Sequence, residues 1–307
     1  MKSYAMTTSP IKKILAPIDF SVKSENATRA AVQMAVRHRA KIVLIHVVNS
    51  YFITDRAGRQ ILGGDSITQD IDAATRKLEG FRDILKQRHP NLKIETIVKT
   101  GLVSDTIADM VNESNTDLVV IGTAGHQKLK QALLGSNSYT MLTRLNCSVM
   151  LVPEEFNKTS FNHILFPVRT LSHLRTKLRL AIAIANRNNG IINLSGIGNS
   201  TNFPKLRREF LLLKRSLKNR AQRFHSELVL TDDNAETISK LSNEKPCDIV
   251  MLNYEDEMKW KSLFAENFFK KIINNTHSAL LFIKPKNTVT IEQASFSGYD
   301  LTMPIPG

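Results

Sequence analysis

The chain of 307 residues has only two cysteines, Cys147 and Cys247, and a single tryptophan. Two thiols, each at the edge of an apolar run, exclude a disulfide-stapled scaffold and are expected as buried free thiols in a reducing compartment. No apolar run approaches the ~18 residues that a membrane-spanning helix needs. The start, Met1-Lys2-Ser3-Tyr4, has no apolar core of a signal peptide, so the expected location is the cytoplasm, away from membrane. There is no zinc-ligand spacing, no aromatic-rich RNA-binding signature, no phosphate-loop lysine-serine pair and no nucleophile elbow. Paired carboxylates beside a basic group are also missing, so no catalytic residue is assigned. Acidic residues are scarce relative to basic ones: 28 against 42, a net charge of +14. Divided after Glu155, the first part carries 20 basic and 15 acidic residues and the remainder 22 and 13. Such a surface attracts nucleotides, nucleic acid or acidic proteins, although a solvated basic face is its plainest reading.

What is present is an alternation of strand and helix patterns. Ile14–Ile18 is a short apolar run. After it, Ser21 or Ser24 can cap a helix with Ala27, Ala30, Ala31, Met34 and Ala35 on one face. Ile42–Val48 reads as the second strand, Tyr51–Gly64 as a loop, and Ile67–Arg88 as a long helix. Leu92–Val98 is the third strand and Val103–Val111 a helix. Leu118–Ile121 and Ser148–Val152 are the fourth and fifth strands. Strands that alternate with helices imply a parallel sheet covered on both faces. Right-handed crossovers then favour a doubly wound α/β layout.

The plan then begins again. Ile164-Leu165-Phe166-Pro167-Val168 repeats Ile14-Leu15-Ala16-Pro17-Ile18 at an offset of 150. Asp248–Leu252 repeats Asp117–Ile121, and Ser278–Ile283 repeats Cys147–Val152, both at an offset of 131. A repeat this long means duplicated domains. The expected division is residues 1–155, residues 156–285 and a C-terminal tail, residues 286–307.

After the fourth strand comes Gly122-Thr123-Ala124-Gly125, then nine residues, then Gly135-Ser136-Asn137-Ser138. A glycine-bearing loop between a strand and a helix start lets backbone amides and the helix N-terminus hold phosphate, although ordinary turn chemistry uses the same residues.

With Pro17-Ile18-Asp19 closing the first strand, His46-Val47 the second, and Gly101 before the third helix, this pattern resembles the universal stress protein family in its tandem two-domain form. The resemblance implies two tandem Rossmann-like domains, each a five-stranded parallel sheet of order 3-2-1-4-5. That order sets Asp19 beside Gly122 at the switch point, where such folds bind ligands. It implies ATP or a related adenine nucleotide, with or without Mg, and at most slow hydrolysis or autophosphorylation. Gly122 and Gly125 would pass close to ribose and phosphates. Gly135, Ser136 and Asn137 would open the phosphate-holding helix, and Ser136 and Ser138 would add hydroxyls. Asp19 would accept from a ribose hydroxyl or the adenine amino group, or else only cap the first helix. Pro17 and Val47 would wall the base, with Ile18 and Ile121 completing the site. His126, Lys128 and Lys130 lie within the nine-residue span. The family also pairs domains through their fifth strands, which implies an intrachain pseudo-dimer or a homodimer.

At the same offsets the second copy replaces Asp19 by Arg169, Gly122 by Asn253, Gly125 by Asp256, Gly135 by Glu266 and Ser136 by Asn267. Glu255-Asp256-Glu257 stands where a phosphate tail would lie, so no second ATP site is expected. The expected role is a stress-response regulatory or scaffold module binding nucleotide in its first domain. The alternative is a nucleotide-independent module that binds nucleic acid or an acidic partner, with Lys205–Arg223 as its basic helix.

Overall fold

A computed structural model describes residues 9–49, 52–54, 60–62, 64–124, 136–169, 173–221, 223–254 and 263–284. The first half runs β1 (Lys13–Pro17), α1 (Val22–His38), β2 (Lys41–Val48), β3 (Phe52–Thr54), β4 (Gln60–Leu62), α2 (Gly64–Arg88), β5 (Ile94–Thr100), α3 (Val103–Ser114), β6 (Leu118–Thr123), α4 (Ser136–Arg144) and β7 (Ser148–Pro153). The second runs β8 (His163–Val168), α5 (Leu174–Asn188), β9 (Ile191–Gly198), α6 (Phe203–Arg220), β10 (Phe224–Leu230), α7 (Asn234–Glu244), β11 (Ile249–Asn253), α8 (Leu263–Asn275) and β12 (Ala279–Ile283).

Ten strands form one sheet, in the order β10-β9-β8-β11-β12-β7-β6-β1-β2-β5. Within each half the pairing is parallel and the order is 3-2-1-4-5, as the resemblance implied. At the centre β12 and β7 run antiparallel, Leu281 opposite Met150. The central strands are apolar on both faces because helices cover both. Residues 148–153 of β7 and all of β11 are buried throughout. One core layer holds α1, α2, α5 and α6, with Leu78, Phe166 and Phe210 among its members. The other holds α3, α4, α7 and α8, with Ile107, Leu142 and Phe269.

The repeat is exact enough to reach single hydrogen bonds. Asp117 Oδ2 accepts from the amides of Lys12 and Lys13 at 2.7 and 2.9 Å. Asp248 Oδ2 accepts from Asn162 and His163 at 2.8 and 2.9 Å. Each carboxylate ties the entry of its fourth strand to the entry of its first.

One local reading is corrected. The segment taken as the loop Tyr51–Gly64 contains an antiparallel hairpin, Phe52 opposite Leu62 and Ile53 opposite Ile61. Phe-Ile-Thr and Gln-Ile-Leu suit strands, but three residues are too few to display an alternation. The tail 286–307 and the acidic run Glu255-Asp256-Glu257 lie outside the described residues. Among the described residues no helix is long and apolar enough to cross a membrane. Neither cysteine is in a disulfide; burial pushes the Cys247 thiol up to about 11, which keeps it protonated and unreactive at neutral pH.

Candidate functional site

β1 and β6 are hydrogen-bonded neighbours only at Ile14–Leu118 and Leu15–Val119. Beyond these pairs their carboxyl ends diverge, because the chain turns from β1 into α1 on one face and from β6 towards α4 on the other. Outside those ends is a cavity of about 110 Å³. Pro17, Ile18, Asp19, Val47, Ile121, Gly122 and Ser138, seven of the residues singled out in the sequence, line it together. Ser136 and Asn137 open α4, as expected. Gly125, Gly135, His126, Lys128 and Lys130 lie outside the described residues.

The first turn of α1 shapes the acidic end of the cavity. Ser21 is its N-cap and accepts from the Ser24 amide. Asp19 is therefore not the cap. Its Oδ1 accepts from the amide of Ser21 at 3.0 Å and from the Ser21 hydroxyl, and its own amide donates to Ser24 Oγ at 3.2 Å. Burial pushes the Asp19 carboxyl up, but the hydrogen bonds from Ser21 and Ser24 and the charge of Lys23 outweigh it. The net shift is below the ordinary value, so Asp19 is a carboxylate at neutral pH. The intervening Phe20 sits at φ 61°, an uncommon conformation for a side-chain-bearing residue. Its ring lies between His46, 4.9 Å between centroids, and the Lys77 ammonium, 4.3 Å from the ring centre.

His46 lines the cavity but is tied down. Its Nδ1 donates to the Ile18 carbonyl at 2.7 Å, so it braces β1 against β2. Gly122 has a role that precedes any ligand: a Cβ there would stand 2.3 Å from the Lys23 carbonyl oxygen and 2.6 Å from its carbon. The absent side chain admits the backbone of α1's first turn against the end of β6. Lys23, Val103 and Met141, which the sequence did not single out, also line the cavity, as does Ser24, expected only as a helix cap. Lys23, Ser24 and Val103 sit at helix starts and Met141 on the second turn of α4, and only the folded sheet brings them together. The N-termini of α1, α3 and α4 thus open around one cavity, each with partial positive charge. Asp19 is the one carboxylate in the lining. This arrangement suits a ligand with an anionic part and hydroxyl or amino donors. Among the described residues no cluster of three or more potential metal ligands is found.

The second half uses the same positions differently. Arg169, in the place of Asp19, lies with its guanidinium carbon 4.2 Å from the centre of the Phe268 ring. Phe268, at an offset of 131, stands in the place of Asn137. Lys177, in the place of Ala27, is buried and donates from Nζ to the Pro167 carbonyl at 2.5 Å. A cation therefore occupies the strand-end carbonyl whose counterpart, Pro17, lines the first cavity.

Sequence and structure comparisons agree with this frame. Residues 10–153 match the profile of the universal stress protein family. The chain is 29% identical over 142 residues to universal stress protein A homolog 1 of Coxiella burnetii, covering 46% of this chain and 95% of that protein. It is 24% identical over 152 residues to a universal stress protein of Methanocaldococcus jannaschii, covering 46% of this chain and 94% of that one. A crystal structure of a universal stress protein from Archaeoglobus fulgidus superposes with a TM-score of 0.69 at 16% identity, over 91% of this chain and 99% of that one. The first two matches span about half of this chain, and the third shows that the tandem fold extends through both halves. Over residues 10–153 the chain is similar to the universal stress protein family.

Proposed function

We propose that the first half binds an adenine nucleotide, ATP by preference, and that the chain is a cytoplasmic stress-response regulator or scaffold read out through that occupancy. The observation that carries this reading is the switch-point cavity, in which Asp19, Val47, Gly122 and Ser138 converge from four elements. In it Pro17 and Val47 wall the base, and Asp19 accepts from the ribose or the amino group. The N-terminus of α4, with Ser136 and Ser138, faces the phosphates. Gly125 and Gly135 belong to the same site on their sequence spacing. Mg would accompany the phosphates without a ligand cluster of its own. No step of hydrolysis is assigned to any residue.

The domain division in this proposal is 1–155, 156–285 and the tail 286–307. The second domain carries no nucleotide and forms an intrachain pseudo-dimer with the first, supported by the antiparallel β7–β12 pairing. The same contact leaves β5 and β10 as the outer strands, available for a homodimer. The direct test is calorimetric titration with ATP, with Asp19→Ala as the control: binding to the wild type that weakens in the variant supports the site. Unchanged affinity in the variant would move the site elsewhere.

A second reading has its own observation. On α6, Lys205, Arg207, Arg208, Lys214, Arg215, Lys218 and Arg220 are all exposed, around exposed Leu211 and Leu212. Among the described residues none of these cations is in an ion pair. This face suits nucleic acid or an acidic protein, with affinity that falls steeply with salt and is indifferent to ATP.

A further inference from the structure

The second half keeps a grip on one helix of the first. Lys284, directly after β12, is 9% exposed and donates from Nζ to the carbonyls of Leu142 at 2.6 Å and Leu145 at 2.5 Å. Its ammonium lies 3.7 Å from the centre of the Tyr254 ring. The Tyr254 hydroxyl in turn donates to the Thr143 carbonyl at 3.3 Å. Leu142 and Thr143 belong to the C-terminal turn of α4 and Leu145 directly follows it; there carbonyls have no partner within the helix and a cation meets the negative end of the dipole.

The counterpart positions of the first half carry different side chains. At the offset of 131, Lys284 corresponds to Pro153, which has no side-chain donor. Tyr254 corresponds to Thr123, whose hydroxyl stays within its own half on the Val152 carbonyl. At the C-terminal end of α8, Asn243 Nδ2 of the same half donates to the Asn275 carbonyl at 2.7 Å, and Glu155 of the first half lies 3.6 Å from His277 just beyond the helix.

The same short helix that Lys284 holds also lines the cavity. Ser138 and Met141 face the site, and Met141 is the neighbour in sequence of Leu142. α4 has nine residues, about 13 Å at 1.5 Å per residue, so a displacement at one end reaches the other.

We propose that Lys284 and Tyr254 are positioning residues for the first half's nucleotide site: the second half fixes the C-terminal end of α4 and thereby sets how its N-terminal end meets the ligand. The inference rests on the nucleotide reading above. It gives the second half a task at the first half's site.

The clamp is also sensitive to pH. Burial pushes the Lys284 ammonium down to about 8, opposed by the Cys147 thiol beside it. The other titratable group facing it is the Tyr254 phenol; Arg144 on α4 is paired with Asp105. As the pH rises through about 8 the ammonium loses its charge and the helix end loses its cation.

The experiment is ATP titration of the full chain, wild type, Lys284→Met and Tyr254→Phe, on both sides of that pH, with thermal unfolding to confirm that each is folded. The charge at the helix end predicts affinity about tenfold weaker in Lys284→Met below pH 8. Loss of one neutral hydrogen bond predicts about threefold in Tyr254→Phe. Wild-type affinity should fall as the pH passes about 8, and Lys284→Met should show no such fall, which a merely structural lysine would not produce. If Lys284→Met does not fold, Tyr254→Phe and the wild-type pH series carry the test. Wild-type affinity that is flat with pH and unchanged in Tyr254→Phe overturns the clamp and leaves the nucleotide site standing. A wild type that binds no ATP overturns the nucleotide reading and the clamp with it.

Discussion

At the amino ends of their strands the two halves are nearly superimposable in chemistry: Asp117 and Asp248 make the same pair of bonds to the same two backbone amides. At the carboxyl ends they part. Asp19 faces a cavity, whereas Arg169 lies against Phe268. Gly122 admits the backbone of α1, whereas its counterpart is a buried asparagine, Asn253. Pro153 ends β7 with no donor, whereas Lys284 follows β12 and reaches across to α4. The duplicated scaffold depends on the amino ends for its fold, so these are shared. The carboxyl ends are free to diverge, and in the second half they have been rebuilt with cations and aromatic rings.

The comparison breaks most readily at Gly122. Replacement by alanine puts a Cβ against Lys23 backbone that has no room to yield, and should cost about 3 kcal/mol in urea unfolding. The converse change in the second half, Asn253→Gly, should cost about 1 kcal/mol, the backbone entropy that a glycine loses in a strand. Equal losses would mean that the two strand ends pack alike.

Acid should separate the halves next. His38 is 3% exposed, and burial, with the charge of Arg187 nearby, pushes it down to about 3. The unfolded chain takes up that proton near the ordinary value of 6.5, while the folded chain does not. Stability is therefore full above 6.5 and is lost as the pH falls towards about 3. The second half has Asn188 in this place, bonded to the Phe161 amide at 3.1 Å. His38→Asn should flatten the profile across that window, as read by thermal unfolding. An unchanged slope would place the acid sensitivity elsewhere.

Asp19→Ala should weaken ATP binding by about tenfold, the loss of one charge-assisted hydrogen bond. In the second half Arg169→Ala should leave ATP affinity unchanged and lower stability by about 1 kcal/mol, the contribution of a partly buried cation–π contact. An effect of Arg169→Ala on affinity would show that the second half takes part in binding directly.

Much of this was legible beforehand because it is periodic or repeated. Apolar runs alternating with helical stripes, matched at offsets of 150 and 131, carry the doubly wound plan and its duplication, and the family resemblance implied the sheet order. Pro17, Asp19, Val47, Gly122 and Ser138 could be placed together because that order makes β1 and β6 neighbours. Lys23 and Val103 were not legible, since a helix start looks the same in sequence whether or not it borders a cavity, and Met141 reads as an ordinary apolar position of α4. The β3–β4 hairpin was too short to show a period. Lys284 and Tyr254 were hidden for a different reason: their partners lie more than 100 residues away in the other copy, and a lysine on two backbone carbonyls and a tyrosine on a third leave no pattern in the residues they contact.

The claim that one copy kept the site and the other rebuilt it is tested most directly by counting nucleotide. Native mass spectrometry of the purified full chain titrated with ATP should show one adenine nucleotide per chain at saturation. Two per chain, or none, would contradict the account.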